Sequence, residues 1–100
     1  MKNNYDVIIV GAGPAGIFTA LELTKLNSNL DILIIDKGRN IEKRNCPARI
    51  TGKCVNCDPC GITFGWSGAG AFSDGKLSLS PEVGGRLLEY FSEEEAQELI

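Results

Sequence analysis

A strand-like run, a glycine turn, a helix-like run and a second strand-like run follow one another without interruption between residues 5 and 36, and this order constrains the fold more than any other feature of the chain. Val7, Ile8, Ile9 and Val10 form a continuous β-branched run, the pattern of a strand buried on both faces. Gly11-Ala12-Gly13-Pro14-Ala15-Gly16 follows directly. From Pro14 onward Ala15, Ile17, Phe18, Ala20, Leu21, Leu23 and Leu26 recur near helical spacing, with proline at a tolerated first-turn position and Asn27-Ser28-Asn29 as a polar stop. Ile32 to Ile35 is again continuously apolar and ends at Asp36. Strand, helix and strand in this compass predict a βαβ unit with parallel strands, the start of a doubly wound α/β sheet.

The turn is a G-x-G-x-x-G motif seated between strand and helix, and each glycine has its own task. Gly11 permits the sharp exit from the strand, Gly13 lets the backbone approach a pyrophosphate, and Gly16 lets the helix lie close to the strand. The helix start aims unpaired N–H groups and the positive end of its dipole at the ligand. Asp36, twenty residues after Gly16, is placed to accept hydrogen bonds from the adenosine ribose, and its charge disfavours a 2′-phosphate. The reading is a Rossmann-like FAD/NAD(P)-binding unit. The turn by itself does not separate FAD from NAD.

Two parallel strands leave edges and apolar faces uncovered, whereas ordinary sheets have about five or six strands. Residues 1–100 are therefore expected to be the N-terminal part of a dinucleotide-binding domain, truncated at Ile100. Residues 37 to 53 carry six basic side chains (Lys37, Arg39, Lys43, Arg44, Arg49 and Lys53) against Glu42 alone, read either as a surface near a phosphate-bearing ligand or as a solvated face. Ser92-Glu93-Glu94-Glu95 has capping-box spacing, with Phe91 set to staple onto Ala96, so a new helix is expected there.

Composition narrows the function. Net charge is +2 over residues 1 to 50 and −5 over residues 51 to 100, a balance that argues against nonspecific nucleic-acid binding. No apolar run approaches the roughly 18 residues of a membrane span. The N-terminus lacks a signal-peptide pattern and reads as mature and cytoplasmic. With no histidine in the chain, histidine-based triads, bases and metal ligands are excluded within these residues.

Cys46, Cys54, Cys57 and Cys60 lie within fifteen residues. Cys54-x-x-Cys57-x-x-Cys60 has the close spacing that lets thiolates converge on a metal, with Cys46 as a fourth ligand, but Cys46-Pro47 precedes the run where the bacterial ferredoxin pattern places its fourth cysteine afterwards. Reduced thiols in a tight loop are the leading reading, so no metal is assigned. An iron–sulfur or zinc site, a redox dithiol at Cys57-Asp58-Pro59-Cys60 and a structural disulfide stay open.

The chain resembles the two-dinucleotide-domain flavoproteins, and more closely the FAD-dependent dehydrogenases. The resemblance is carried by Tyr5 to Gly16, by Asp36-Lys37-Gly38, by Cys54-Val55-Asn56-Cys57-Asp58-Pro59-Cys60, and by Gly68-Ala69-Gly70-Ala71-Phe72-Ser73-Asp74-Gly75-Lys76-Leu77. It implies an FAD-dependent oxidoreductase in which Gly11, Gly13, Pro14, Ala15 and Gly16 hold the pyrophosphate, Asp36 holds the ribose, and Lys37 and Gly38 flank the adenine end. It also implies that the segment from Ser67 through Gly68 and Gly70 to Ser73 returns to the diphosphate or the flavin ring. Trp66 and Phe72 are read as packing residues, and Asp74 and Lys76 either as flavin or substrate contacts or as a solvent-facing ion pair. The expected partners are a small-molecule substrate or electron acceptor, with NAD(P)H open as electron donor. Two other functions compete: an NAD-binding domain of a dehydrogenase, and a non-catalytic redox or metal-binding module built on the cysteines.

Overall fold

The computed structural model describes residues 2–100. Strand β1 (Val7–Val10), helix α1 (Pro14–Leu26) and strand β2 (Ile32–Ile35) form the expected βαβ unit. The two strands pair in parallel, with Val7 opposite Ile32 and Val10 opposite Ile35. Three hydrogen bonds fix this register at its ends. At the start, the Asp6 and Asp31 backbones are joined at 2.9 Å and the Asp6 carboxylate accepts from the Asp31 N–H at 2.8 Å. At the exit, the Gly11 N–H donates to the Ile35 carbonyl at 2.7 Å.

Helix α1 begins as its sequence predicts, with Pro14 in the first turn, where its missing N–H costs nothing, and ends at Asn27, whose N–H donates to the Leu23 carbonyl at 2.9 Å. It lies against one face of the two-stranded sheet, the face that carries Ile9. A Cβ added at Gly16 would fall 3.3 Å from the Ile9 Cγ2 and run into the Gly11 carbonyl oxygen, so helix and strand approach this closely because Gly16 has no side chain.

β1 is not buried on both faces, which corrects the expectation drawn from its unbroken apolar run. Ile8 is 57% exposed and Val10 80% exposed. The reason is the one the sheet's width dictates: α1 covers the Ile9 face, and among the described residues nothing covers the other. Phe18, Leu21 and Leu26 on the outer side of α1 are exposed as well. Completely or nearly buried apolar side chains are confined, among the described residues, to Ala12 and Ala96.

Beyond β2 the chain is irregular, with the short helix α2 (Ala48–Thr51), 3-10 turns at Ile41–Lys43, Gly68–Phe72 and Leu87–Glu89, and helix α3 (Glu93–Leu99). The capping box forms: the Ser92 hydroxyl accepts from the Glu95 N–H at 3.2 Å, and the Glu95 carboxylate accepts from the Ser92 N–H at 3.1 Å. Ala96, the expected staple partner of Phe91, is fully buried.

Arg44 organises the irregular half. It is 8% exposed, and its guanidinium donates to the carbonyls of Gly61 (2.9 Å), Trp66 (2.8 Å), Gly68 (2.8 Å) and Ile62. This corrects the reading of residues 37 to 53 as uniformly a surface: one of the six cations is a buried clamp. Four carbonyls satisfy it, so no carboxylate is needed. Phe72 lies beside it, with the Arg44 and Arg49 guanidinium carbons 4.8 Å and 4.4 Å from the ring centroid, which is a packing role.

Candidate dinucleotide site

The glycine turn leaves its donors free. The Ile17 N–H is the first to bond within α1, to the Gly13 carbonyl at 3.0 Å. Pro14 has no N–H, and among the described residues the N–H groups of Gly13, Ala15 and Gly16 have no partner in the chain. Helix starts carry such orphan donors because no preceding turn exists to accept from them. Gly11 exits the strand at φ +109°, a conformation that a side chain resists. Gly13 differs: its backbone is extended (φ −79°, ψ −175°) and a Cβ there would meet no atom within 4 Å. Nothing inside the protein demands a glycine at position 13, and the space before it is open.

Asp36 sits where β2 ends and reaches across to the turn. Its two carboxylate oxygens accept from the Ala12 N–H and the Gly38 N–H, each at 2.8 Å. These bonds, that from Ala12 foremost, hold its carboxyl below the ordinary aspartate value. A carboxylate offers about four lone-pair sites, so after two internal bonds about two remain for a ligand's hydroxyls. Val10, Gly11, Ile35, Asp36, Lys37 and Phe64 line a cavity of about 490 Å³ at the carboxyl ends of the two strands. In open α/β sheets ligands bind outside that end of the strands.

The second glycine segment does come to the first. The Ser67 N–H donates to the Ala12 carbonyl at 2.7 Å, and a Cβ on Gly68 would lie 3.2 Å from the Gly13 Cα and 3.5 Å from the Pro14 Cδ. Gly70 stands further out, its added Cβ 3.9 Å from the Pro14 Cγ. Ser73 closes the 3-10 turn, its N–H on the Gly70 carbonyl at 3.2 Å and its hydroxyl accepting from the Gly75 N–H at 3.2 Å. Asp74 accepts from the Lys76 backbone N–H at 3.0 Å, and among the described residues the two side chains form no ion pair.

Lys37 and Gly38 diverge. The Lys37 ammonium lies 3.8 Å from the Phe64 ring centroid and 4.0 Å from the Asp58 carboxylate, while a side chain on Gly38 would collide with the backbone of Phe64 and Gly65, so packing alone accounts for that glycine. Sequence reasoning missed two residues here. Phe64 walls the cavity beside Asp36, and Arg44 braces the Gly68 carbonyl behind the contact with Gly13. Neither carries a local signal, since an isolated aromatic and one arginine among six cations look ordinary until the loops fold together.

All four cysteines are free thiols, Cys46 and Cys60 half-buried and Cys54 and Cys57 exposed. No disulfide joins them in this structure. Among the described residues no three Cys, Asp or Glu side chains gather to hold a metal. No helix among them is long and apolar enough to cross a membrane.

Parallel strands, an intervening helix with free amides at its start, and a carboxylate beside them define a Rossmann-like nucleotide-binding βαβ unit. Residues 5–58 match the family model described as pyridine nucleotide-disulphide oxidoreductase, and the chain belongs to that family of oxidoreductases. It is 34% identical over 100 residues to a digeranylgeranylglycerophospholipid reductase of Methanosarcina mazei, an alignment covering 93% of this chain and 24% of the relative. It is 38% identical over 72 residues to an uncharacterized protein of Clostridium beijerinckii, covering 71% of this chain and 13% of that one. A shorter match, 44% identical over 41 residues, is to the mitochondrial electron transfer flavoprotein-ubiquinone oxidoreductase of Arabidopsis thaliana, covering 37% of this chain and 6% of that protein. The chain thus spans about a quarter or less of the length of these relatives. No solved structure matches it.

Proposed function

We propose that the chain is the FAD-binding portion of a flavin-dependent oxidoreductase, with the pyrophosphate on the free amides of Gly13, Ala15 and Gly16 and the ribose on Asp36. The observation that carries this reading is the open approach to Gly13: the N–H groups of Gly13, Ala15 and Gly16 have no partner among the described residues, and a Cβ on Gly13 would meet no atom within 4 Å. Bound FAD supplies hydride or electron transfer, and the protein supplies position and electrostatics. Asp36 orients the nucleotide, Pro14 presets the helix start, and the Ser67 to Gly70 segment, latched to Ala12, walls the diphosphate side.

Family membership supports FAD over a bare NAD site, and so does the second glycine segment lying against the first. The relatives' names join the reduction of a lipid with a ubiquinone oxidoreductase, which supports a redox role with a small-molecule substrate or electron acceptor and singles out neither.

The test is the visible spectrum of the complete protein after gentle purification, with mass spectrometry of the ligand released on denaturation. Yellow flavin bands and the mass of FAD are expected. A colourless protein that releases NAD would replace this reading with the NAD-binding one.

A further inference from the structure

A second cavity, of about 290 Å³, opens on the other side of Phe64, which walls both. Arg39, Lys43, Arg44 and Asn45 line it together with Cys57 and Cys60. Nothing in the dinucleotide reading uses these thiols. Among the described residues neither Arg39 nor Lys43 has a carboxylate partner, and the Asp58 carboxylate at the rim pairs at 4.0 Å with Lys37. The cavity is therefore electropositive. Cys60 is half-buried in it, and Cys57 is exposed at its edge, three residues away in sequence. The N–H groups of Ile62 and Thr63, the Thr63 hydroxyl and, more weakly, the Arg44 guanidinium hold the Cys60 thiol below its ordinary range. Reactive cysteines occupy this kind of partly exposed, positively charged setting, and redox-sensitive ones often have a second thiol poised beside them.

We propose that Cys60 is a peroxide-reactive thiol and Cys57 the thiol that closes on it, a modification site separate from the dinucleotide site. In the first step the Cys60 thiolate attacks one oxygen of a hydroperoxide. A sulfur–oxygen bond forms, the oxygen–oxygen bond breaks, and the departing hydroxide or alkoxide takes a proton from solvent; sulfur loses two electrons and the peroxide gains them. In the second step the Cys57 sulfur attacks the Cys60 sulfenic acid, the disulfide forms, and the Cys57 proton leaves with the expelled hydroxide as water. The Arg44 guanidinium lowers the cost of the thiolate, and Arg39 and Lys43 on the cavity wall that of the anion leaving it.

The experiment uses the whole chain, with substoichiometric hydrogen peroxide as the probe and peptide mapping after dimedone or iodoacetamide treatment. In the unsubstituted protein the first product is expected to be a Cys57–Cys60 disulfide, with Cys46 and Cys54 still alkylated. Cys60 is expected to be consumed at least about tenfold faster than Cys54, which lies exposed outside the cavity. In Cys57→Ser the dimedone adduct is expected on Cys60. Consumption of Cys54 as fast as Cys60, or an unmodified Cys60 while the other thiols oxidise, overturns the proposal. The rate ranking needs no substitution, so it stands if Cys57→Ser fails to fold, and none of the readouts depends on bound dinucleotide.

Discussion

Gly13 and Gly16 are the same residue serving opposite ends. At Gly16 a Cβ would strike the Gly11 carbonyl and the Ile9 side chain, so Gly16→Ala is expected to cost about 3 kcal/mol or more of stability in denaturant unfolding. At Gly13 a Cβ meets nothing, so Gly13→Val is expected to hold stability within about 0.5 kcal/mol, as at a surface site, while weakening dinucleotide binding at least about tenfold in a titration, or about 1.4 kcal/mol. Equal losses of stability in both variants would contradict the assignment of ligand contact to one and packing to the other. Asp36 adds a pH dependence whose sign follows from its lowered pKa. Its contribution is complete above the unfolded value near 3.8 and is lost as pH falls through the lower folded value. The stability difference between the unsubstituted protein and Asp36→Asn should therefore hold steady at about pH 5 and shrink towards about pH 2; a gap that widens on acidification would reverse the argument. At this scale the glycines and Asp36 are legible in sequence because their spacing is local. That Asp36 spends two acceptor sites on the Ala12 and Gly38 amides is not, because those bonds exist only once β2 lies beside the turn.

Between elements, the latch of the second glycine segment onto the first rests on Arg44. Arg44→Met removes four donated bonds and leaves one buried and three part-buried carbonyls without that partner, a loss expected to be about 3 kcal/mol. Hydrogen exchange should report it locally: protection of the Ser67 N–H, bonded to Ala12, is expected to fall while that of the Val7 N–H in β1, bonded to the Asp31 carbonyl, persists. Unchanged protection at Ser67 would show that the segment is held by other means. The βαβ order, the parallel pairing, the helix start at Pro14 and the Ser92 capping box are all legible in sequence, since each depends on residues a few positions apart. The clamp is not, because its four acceptors lie 17 to 24 residues away on backbone carbonyls that carry no sequence signature. Charge counting along residues 37 to 53 merges the one buried cation with its solvent-facing neighbours.

For the whole molecule, surface sets the behaviour. A compact chain of this mass exposes about 5,500 Å²; this one exposes 8162 Å², with Ile8 and Val10 bare on one face of the sheet and Phe18 and Leu21 on the outside of α1. The unbroken apolar runs of the strands are legible as a demand for cover on both sides, and these residues supply it on one. The 100 residues on their own are expected to self-associate in sedimentation velocity and to bind a hydrophobic dye, and a monodisperse monomer with a sharp thermal transition would contradict that. The central claim concerns the start of α1. Amide chemical shifts recorded while FAD or ADP is titrated into the protein test it most directly: the account predicts that the Gly13, Ala15 and Gly16 signals move first and furthest, and shifts confined to the Cys57 and Cys60 cavity, with those three amides unmoved, would contradict it.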